Sequence, residues 1–315
     1  MSHSYISSKV ISRREALAAF GIVLPAACAR LGSSAPQPSA EIILCGWDEV
    51  FILALDDQPD PGSEKVWSWR AADSPEIPEA MRPLFRSTDE CKPVDGGRRI
   101  LITSSSNGVA LVERATKRAL FHATAANAHS AAMLPGERTV VAASVSPSGK
   151  GDRLVLFGVD ASGRELWSGP LAAAHGVVWD ARRALLWGLG GSELRSWRLA
   201  QWDGPTPALE PAEMFRLPDP GGHDLFAAPG ENPDLFVTTN DHCWLFDRDR
   251  RAFRPHPVLA DAGDIKCLSA HARTGRVVYT QAERPNWWTA RVRFLDPPGL
   301  LHLPGERLYK ARWDV

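Results

Sequence analysis

The feature that most limits what this chain can become is a strand pattern that recurs with different letters. Residues 174–180 (Ala-His-Gly-Val-Val-Trp-Asp) read as a short apolar strand. A polar turn at 181–183, a second apolar strand at 184–189, a Gly-Gly-Ser turn at 190–192 and an alternating run at 193–199 follow. Short apolar runs bounded by turn residues form a β-meander. Similar units begin at Glu41, Glu90, His129, His223 and Lys266. Measured at Cys91, His129, His175, His223 and Lys266, their first strands fall 38 to 48 residues apart, and multi-stranded units at that period predict a β-propeller. The expected fold is all-β: one six-bladed propeller over residues 41–315, with no helix in it. Seven blades would require strands hidden in 75–86 or 205–218.

The unit at Glu41 lacks the strand that opens the others, and the C-terminal run 309–313 (Tyr-Lys-Ala-Arg-Trp) has that strand's pattern. The C-terminus is therefore expected to complete the first blade. That closes the ring and leaves no free sheet edge. Innermost strands line a propeller's channel, so their first residues crowd one mouth. Aligning strand starts makes Cys91, His129, His175, His223 and Lys266 equivalent, with Tyr309, Lys310 or Arg312 at the sixth place. Five other histidines (122, 242, 256, 271, 302) fall on strand ends or turns and are expected at the surface. Asp224 either orients His223 or caps a turn.

The 315 residues carry 36 basic and 37 acidic side chains, a net charge of -1. That balance excludes a general nucleic-acid binder, which needs a basic face to displace counterions. Trp287 and Trp288 lie between two strands, where they either cover a blade end or offer indole faces to a sugar ring. Cys45, Cys91, Cys243 and Cys267 match no zinc spacing and are expected as buried thiols.

Residues 1–29 are expected to be an export signal. Ser12-Arg13-Arg14-Glu15-Ala16-Leu17 has the twin-arginine pattern, and the apolar run 18–27 is too short to span a bilayer comfortably. Ala27-Cys28-Ala29 offers a cleavage site; a lipoprotein signal with lipid on Cys28 is the competing reading. Residues 30–40, rich in Ser and Pro, form a linker. The expected location is periplasmic or extracellular, with a membrane link only through that lipid.

Several segments carry a resemblance. Asn127-Ala128-His129-Ser130, Leu134-Pro135-Gly136, the run 174–180, Gly221-Gly222-His223-Asp224-Leu225 and the closing 309–313 resemble a bacterial family of β-propellers of uncharacterised function. That family is similar in turn to propeller polysaccharide lyases that cut ulvan, a polymer containing uronic acids. The resemblance covers the chain from about Glu41 to its end. It implies an active site at one channel mouth and β-elimination beside a uronate, with histidine and tyrosine as base and acid. Where those lyases have a tyrosine after the second strand, this chain has Gly190 and Gly191.

Elimination needs a cation to offset the carboxylate, a base for the C5 proton and an acid for the departing oxygen. Lys266 or Arg312 suits the first role, His129 or His175 the second, and Tyr309 or the other histidine the third. His223, Trp287 and Trp288 are expected to bind substrate. The expected partner is an acidic poly- or oligosaccharide, taken up by a monomer without a required cofactor. Two rivals stand beside this reading. His129, His175 and His223, with Cys91 as a fourth ligand, have the chemistry to hold a divalent metal. A non-catalytic propeller would bind a glycan or an envelope protein.

Overall fold

The computed structural model describes residues 40–56 and 63–314. The expected signal segment, Cys28 and nearly all of the expected linker lie outside the described residues. Six four-stranded antiparallel sheets make up the fold. Each inner strand packs against the next, and the sixth packs against the first, so the sheets form a closed ring. This is a six-bladed β-propeller.

Blade I joins the two ends of the fold. Its inner strand is the C-terminal Leu308–Trp313, paired with Ala40–Gly46, followed by Val50–Leu55 and Ser63–Trp69. The inner strands of blades II to VI are Thr88–Val94, Ala128–Leu134, Gly176–Asp180, Asp224–Ala227 and Ile265–Ala270. The core is six separate apolar layers, one between each pair of neighbouring blades. Side chains that point from both sheets into a layer leave water together, which is what holds flat blades face to face. Blades IV and V approach so closely at Gly176 that a Cβ there would meet the Leu225 Cβ at 2.6 Å.

Neither segment considered for a seventh blade holds one. Residues 75–86 contain the 3-10 helix Glu79–Phe85, which follows another at Ala71–Asp73. The expectation of no helix is corrected by these two short turns. Pro83 and Pro78 deny the segment the amide donors that a strand ladder needs. Residues 205–218 instead supply Ala208–Arg216, the outer strand of blade IV. Among the described residues no helix is long and apolar enough to cross a membrane.

A candidate anion-binding site at the histidine mouth

Each inner strand opens with a β-bulge. In blade III, Ala128 and Ser130 pair with Ala143 and Ala142, and His129 stands between them unpaired. Asp89, Lys266 and Tyr309 occupy the same place in blades II, VI and I. His175 and His223 donate their N–H to the carbonyls of Leu189 and Thr238, which already pair with the following residues Gly176 and Asp224. The bulge turns the extra side chain out of the ladder and toward the channel mouth. Six residues, one per blade, thereby form a ring.

In four consecutive blades the chain reaches this position through a left-handed residue two places earlier. These are Asn127, Ala173, Gly221 and Asp264, with φ of 47°, 47°, 86° and 61°. Asn, Gly and Asp tolerate that conformation, whereas Ala173 holds it at some cost. The turn aims two carbonyls at the imidazoles. His129 Nδ1 lies 3.0 Å from Asn127 O, and His175 Nδ1 lies 3.1 Å from Ala173 O. A carbonyl only accepts, so both Nδ1 atoms carry the proton and each Nε2 keeps its lone pair. His223 Nε2 accepts from Lys266 Nζ at 3.1 Å.

The ring encloses a cavity of about 310 Å³, with Ser105, Asn127 and Trp287 completing its wall. The imidazoles meet edge to face, with centroids 4.1 Å apart for His129–His175 and 5.3 Å for His175–His223. Tyr309 lies between His129 at 6.2 Å and Trp287 at 5.6 Å. Each imidazole shows part of its surface to the cavity while protein surrounds the rest. Burial lowers the pKa of His129 to about 3, against the Asn127 carbonyl. Burial and then the Lys266 charge lower His223 to about 3. Burial and then His129 hold His175 well below its ordinary value. All three are neutral at pH 7. Burial also lowers the Lys266 pKa, with Asp264 opposing. Burial and then Asp89 raise the Tyr309 phenol. Asp89 is pushed up to about 7 by burial, although Ser105 hydrogen-bonds it.

Beneath the ring the channel is filled by an ion network. The Arg312 guanidinium donates to Glu90 Oε1 and Oε2 at 2.8 and 3.1 Å, and to Asp224 Oδ1 and Oδ2 at 2.7 and 2.8 Å. Lys310 Nζ lies 3.0 Å from Asp224 and 3.5 Å from Glu90. Lys92 Nζ donates to Ser130 Oγ, Ala131 O and Val177 O at 2.8 to 3.0 Å. Burial opposes ionisation of Asp224, but Arg312 and then Lys310 outweigh it and hold the pKa at about 2. Three cations and two carboxylates therefore occupy the channel.

Several sequence expectations meet this geometry differently. His129, His175, His223, Lys266, Tyr309 and Trp287 share one cavity. Trp288 packs behind it, edge-on to Trp47 at 6.2 Å. Arg312 cannot meet a ligand carboxylate, because it is fully buried and already holds two carboxylates. Lys310 is likewise enclosed. Cys91 lies two residues beyond the bulge, in the apolar layer between blades I and II, so it cannot be a fourth metal ligand. Asp224 neither orients His223 nor caps a turn; it belongs to the ion network. His256 and His271 are buried rather than at the surface, and their Nδ1 atoms accept backbone N–H groups in tight turns. Among the described residues no group of three or more His, Cys, Asp or Glu side chains is placed to hold a metal. Lys266 against His223 opposes a second cation there.

Sequence reasoning missed Asp89, the blade II member of the ring. Its signal was available, since Asp89 lies 40 residues before His129. The model of a family of unknown function, DUF6528, matches residues 52–315. A comparison with curated proteins gives no match.

Proposed function

The chain belongs to DUF6528, a family of unknown function, and for this member we propose binding and eliminative cleavage of a glycan containing uronic acid at the histidine-lined mouth. The observation that carries the reading is the state of Lys266. Its ammonium is buried against a neutral imidazole at 3.1 Å, and Asp264 is 3.9 Å away. A buried cation without a close counter-ion favours an anionic ligand. Trp287 beside it offers an exposed indole to a sugar's C–H face.

In this reading the Lys266 ammonium receives the uronate carboxylate and offsets its charge, with the His223 imidazole beside it. The arriving anion also raises the imidazole pKa values, reversing part of the effect of burial. Nε2 of His129 or His175 takes the C5 proton. The electron pair of that C–H bond forms the C4–C5 double bond, the C4–O bond breaks, and Tyr309 or Asp89 protonates the departing oxygen. No cofactor enters this balance. The reading carries export with it, with the Arg13-Arg14 segment as the proposed route.

The test is incubation of the purified chain with a panel of uronate polymers while following ultraviolet absorbance of the unsaturated product. The reading expects absorbance that is lost in His129→Gln and His175→Gln. Binding without absorbance would leave a non-catalytic glycan receptor. Absence of both would remove the reading.

A further inference from the structure

Beside the histidine cavity lies a groove of about 500 Å³ that includes Trp47, Glu49, Lys65, Arg70 and Arg307. The boundary between the two is aromatic. Trp287 lines the cavity and Trp47 lines the groove. Their indoles stack with centroids 5.3 Å apart and planes within 12°. They are 43 % and 37 % exposed, a large apolar surface to leave open to water. The Arg307 guanidinium lies 4.6 Å over Trp47 and 5.3 Å over Trp288.

The charges of the groove are unequal in their commitments. Lys65 meets Glu49 and Glu306, and Arg70 meets Glu49 and Asp48. Arg307 is exposed and has only the two indoles as ring partners; it enters no ion pair among the described residues. A guanidinium held on aromatic faces keeps its N–H edge for a planar anion, and a carboxylate matches that edge with two oxygens.

Resting on the acidic-glycan reading, we propose that this groove is a second sugar subsite, and that the ligand is a uronic-acid oligomer held at two carboxylates, one at Lys266 and one at Arg307, with the Trp47–Trp287 stack between them. A single sugar acid fills the histidine cavity alone. An oligomer engages both cations, and joining the two contacts in one molecule raises affinity without changing either.

The experiment is titration calorimetry of the full chain with galacturonate, its dimer and its tetramer, repeated on Arg307→Gln and Trp47→Ala. Arg307 is exposed, so its replacement leaves the fold intact and serves as control for any unfolding in the Trp47 variant. The tetramer is expected to bind at least about tenfold more tightly than the monosaccharide. Arg307→Gln removes most of that gain and leaves monosaccharide affinity unchanged. Equal affinity for all lengths, or a gain that survives Arg307→Gln, overturns the subsite while the histidine cavity stands as an acid-binding site. Absence of binding by every length overturns both.

Discussion

Lys266 Nζ lies 3.1 Å from His223 Nε2, so a buried ammonium has an imidazole as its near partner and a carboxylate, Asp264, only at 3.9 Å. The pair joins neighbouring blades V and VI through equivalent bulges. It leaves the cavity one positive charge whose nearest carboxylate, Asp264, is shared with Arg284 at 2.6 Å.

Lys266→Met removes that charge without leaving an orphaned carboxylate. Affinity for a uronate ligand is expected to fall by about 10- to 100-fold, the scale of one hydrogen bond to a charged group. Stability is expected to hold or rise, because a desolvated ammonium gives way to an apolar side chain of similar length. Calorimetry and urea unfolding of the same sample check both halves. Unchanged affinity would show that the ammonium does not meet the ligand.

Arg312 should behave in the opposite way. It satisfies two fully buried carboxylates at once. Arg312→Met strands Glu90 and Asp224 among the remaining lysines and is expected to cost about 3–5 kcal/mol in urea unfolding. A cost near that of a surface pair, about 0–1 kcal/mol, would contradict the network described here.

The acid side of the stability profile follows from the ring. His129 and His223 have folded pKa values of about 3 against an ordinary 6.5, and His175 is also lowered. Their contribution is complete above pH 6.5 and is lost as pH falls toward 3, because the unfolded chain binds protons that the folded chain refuses. Asp89 has the reverse sign. Its pKa is about 7 against an ordinary 3.8, so its contribution is complete below 3.8 and is lost as pH rises through 7. From about pH 6 to about pH 4 stability should therefore fall by up to about 1.4 kcal/mol per pH unit for each net proton. The fall should be shallower in His129→Gln and steeper in Asp89→Asn. Urea midpoints across that range measure it, and parallel profiles for the three proteins would contradict the assignment.

Gly176 starts the strand on which the sequence pattern was first recognised. An added Cβ would lie 2.6 Å from Leu225 Cβ and 3.0 Å from Leu225 N, and the backbone of blade V cannot yield easily. Gly176→Ala should cost about 1–3 kcal/mol by overpacking. A thermal melt with no shift would mean that blades IV and V part freely at this point.

The ring of blades was legible because each strand pair buries alternate side chains, and that demand writes itself as apolar runs between turns. Closure was legible for the same reason: 309–313 had the inner-strand pattern and Glu41 lacked a partner. His129, His175, His223, Lys266 and Tyr309 were found through phase. Asp89 was not, because Cys91 in the same strand is apolar and drew the alignment two residues onward. Depth along the strand was also hidden. Tyr309 and Arg312 lie three residues apart on one strand, yet the bulge puts Tyr309 at the mouth and Arg312 in the sealed interior. Letters alone do not distinguish a cation that waits for a ligand from one already enclosed by acids of two other blades. Trp47 and Arg307 were missed because Trp288 lies 241 positions after Trp47 and only ring closure brings the loops together.

The most direct trial of the account is calorimetric titration of the chain with an oligogalacturonate in two buffers of different ionisation enthalpy at neutral pH. The account predicts binding whose proton uptake is the same in the natural chain and in a His129→Gln, His175→Gln double variant, because those imidazoles stay neutral to act as bases, and an affinity about 10- to 100-fold lower in Lys266→Met. Proton uptake that disappears in the double variant, affinity unchanged in Lys266→Met, or no binding at any length of oligomer would contradict it.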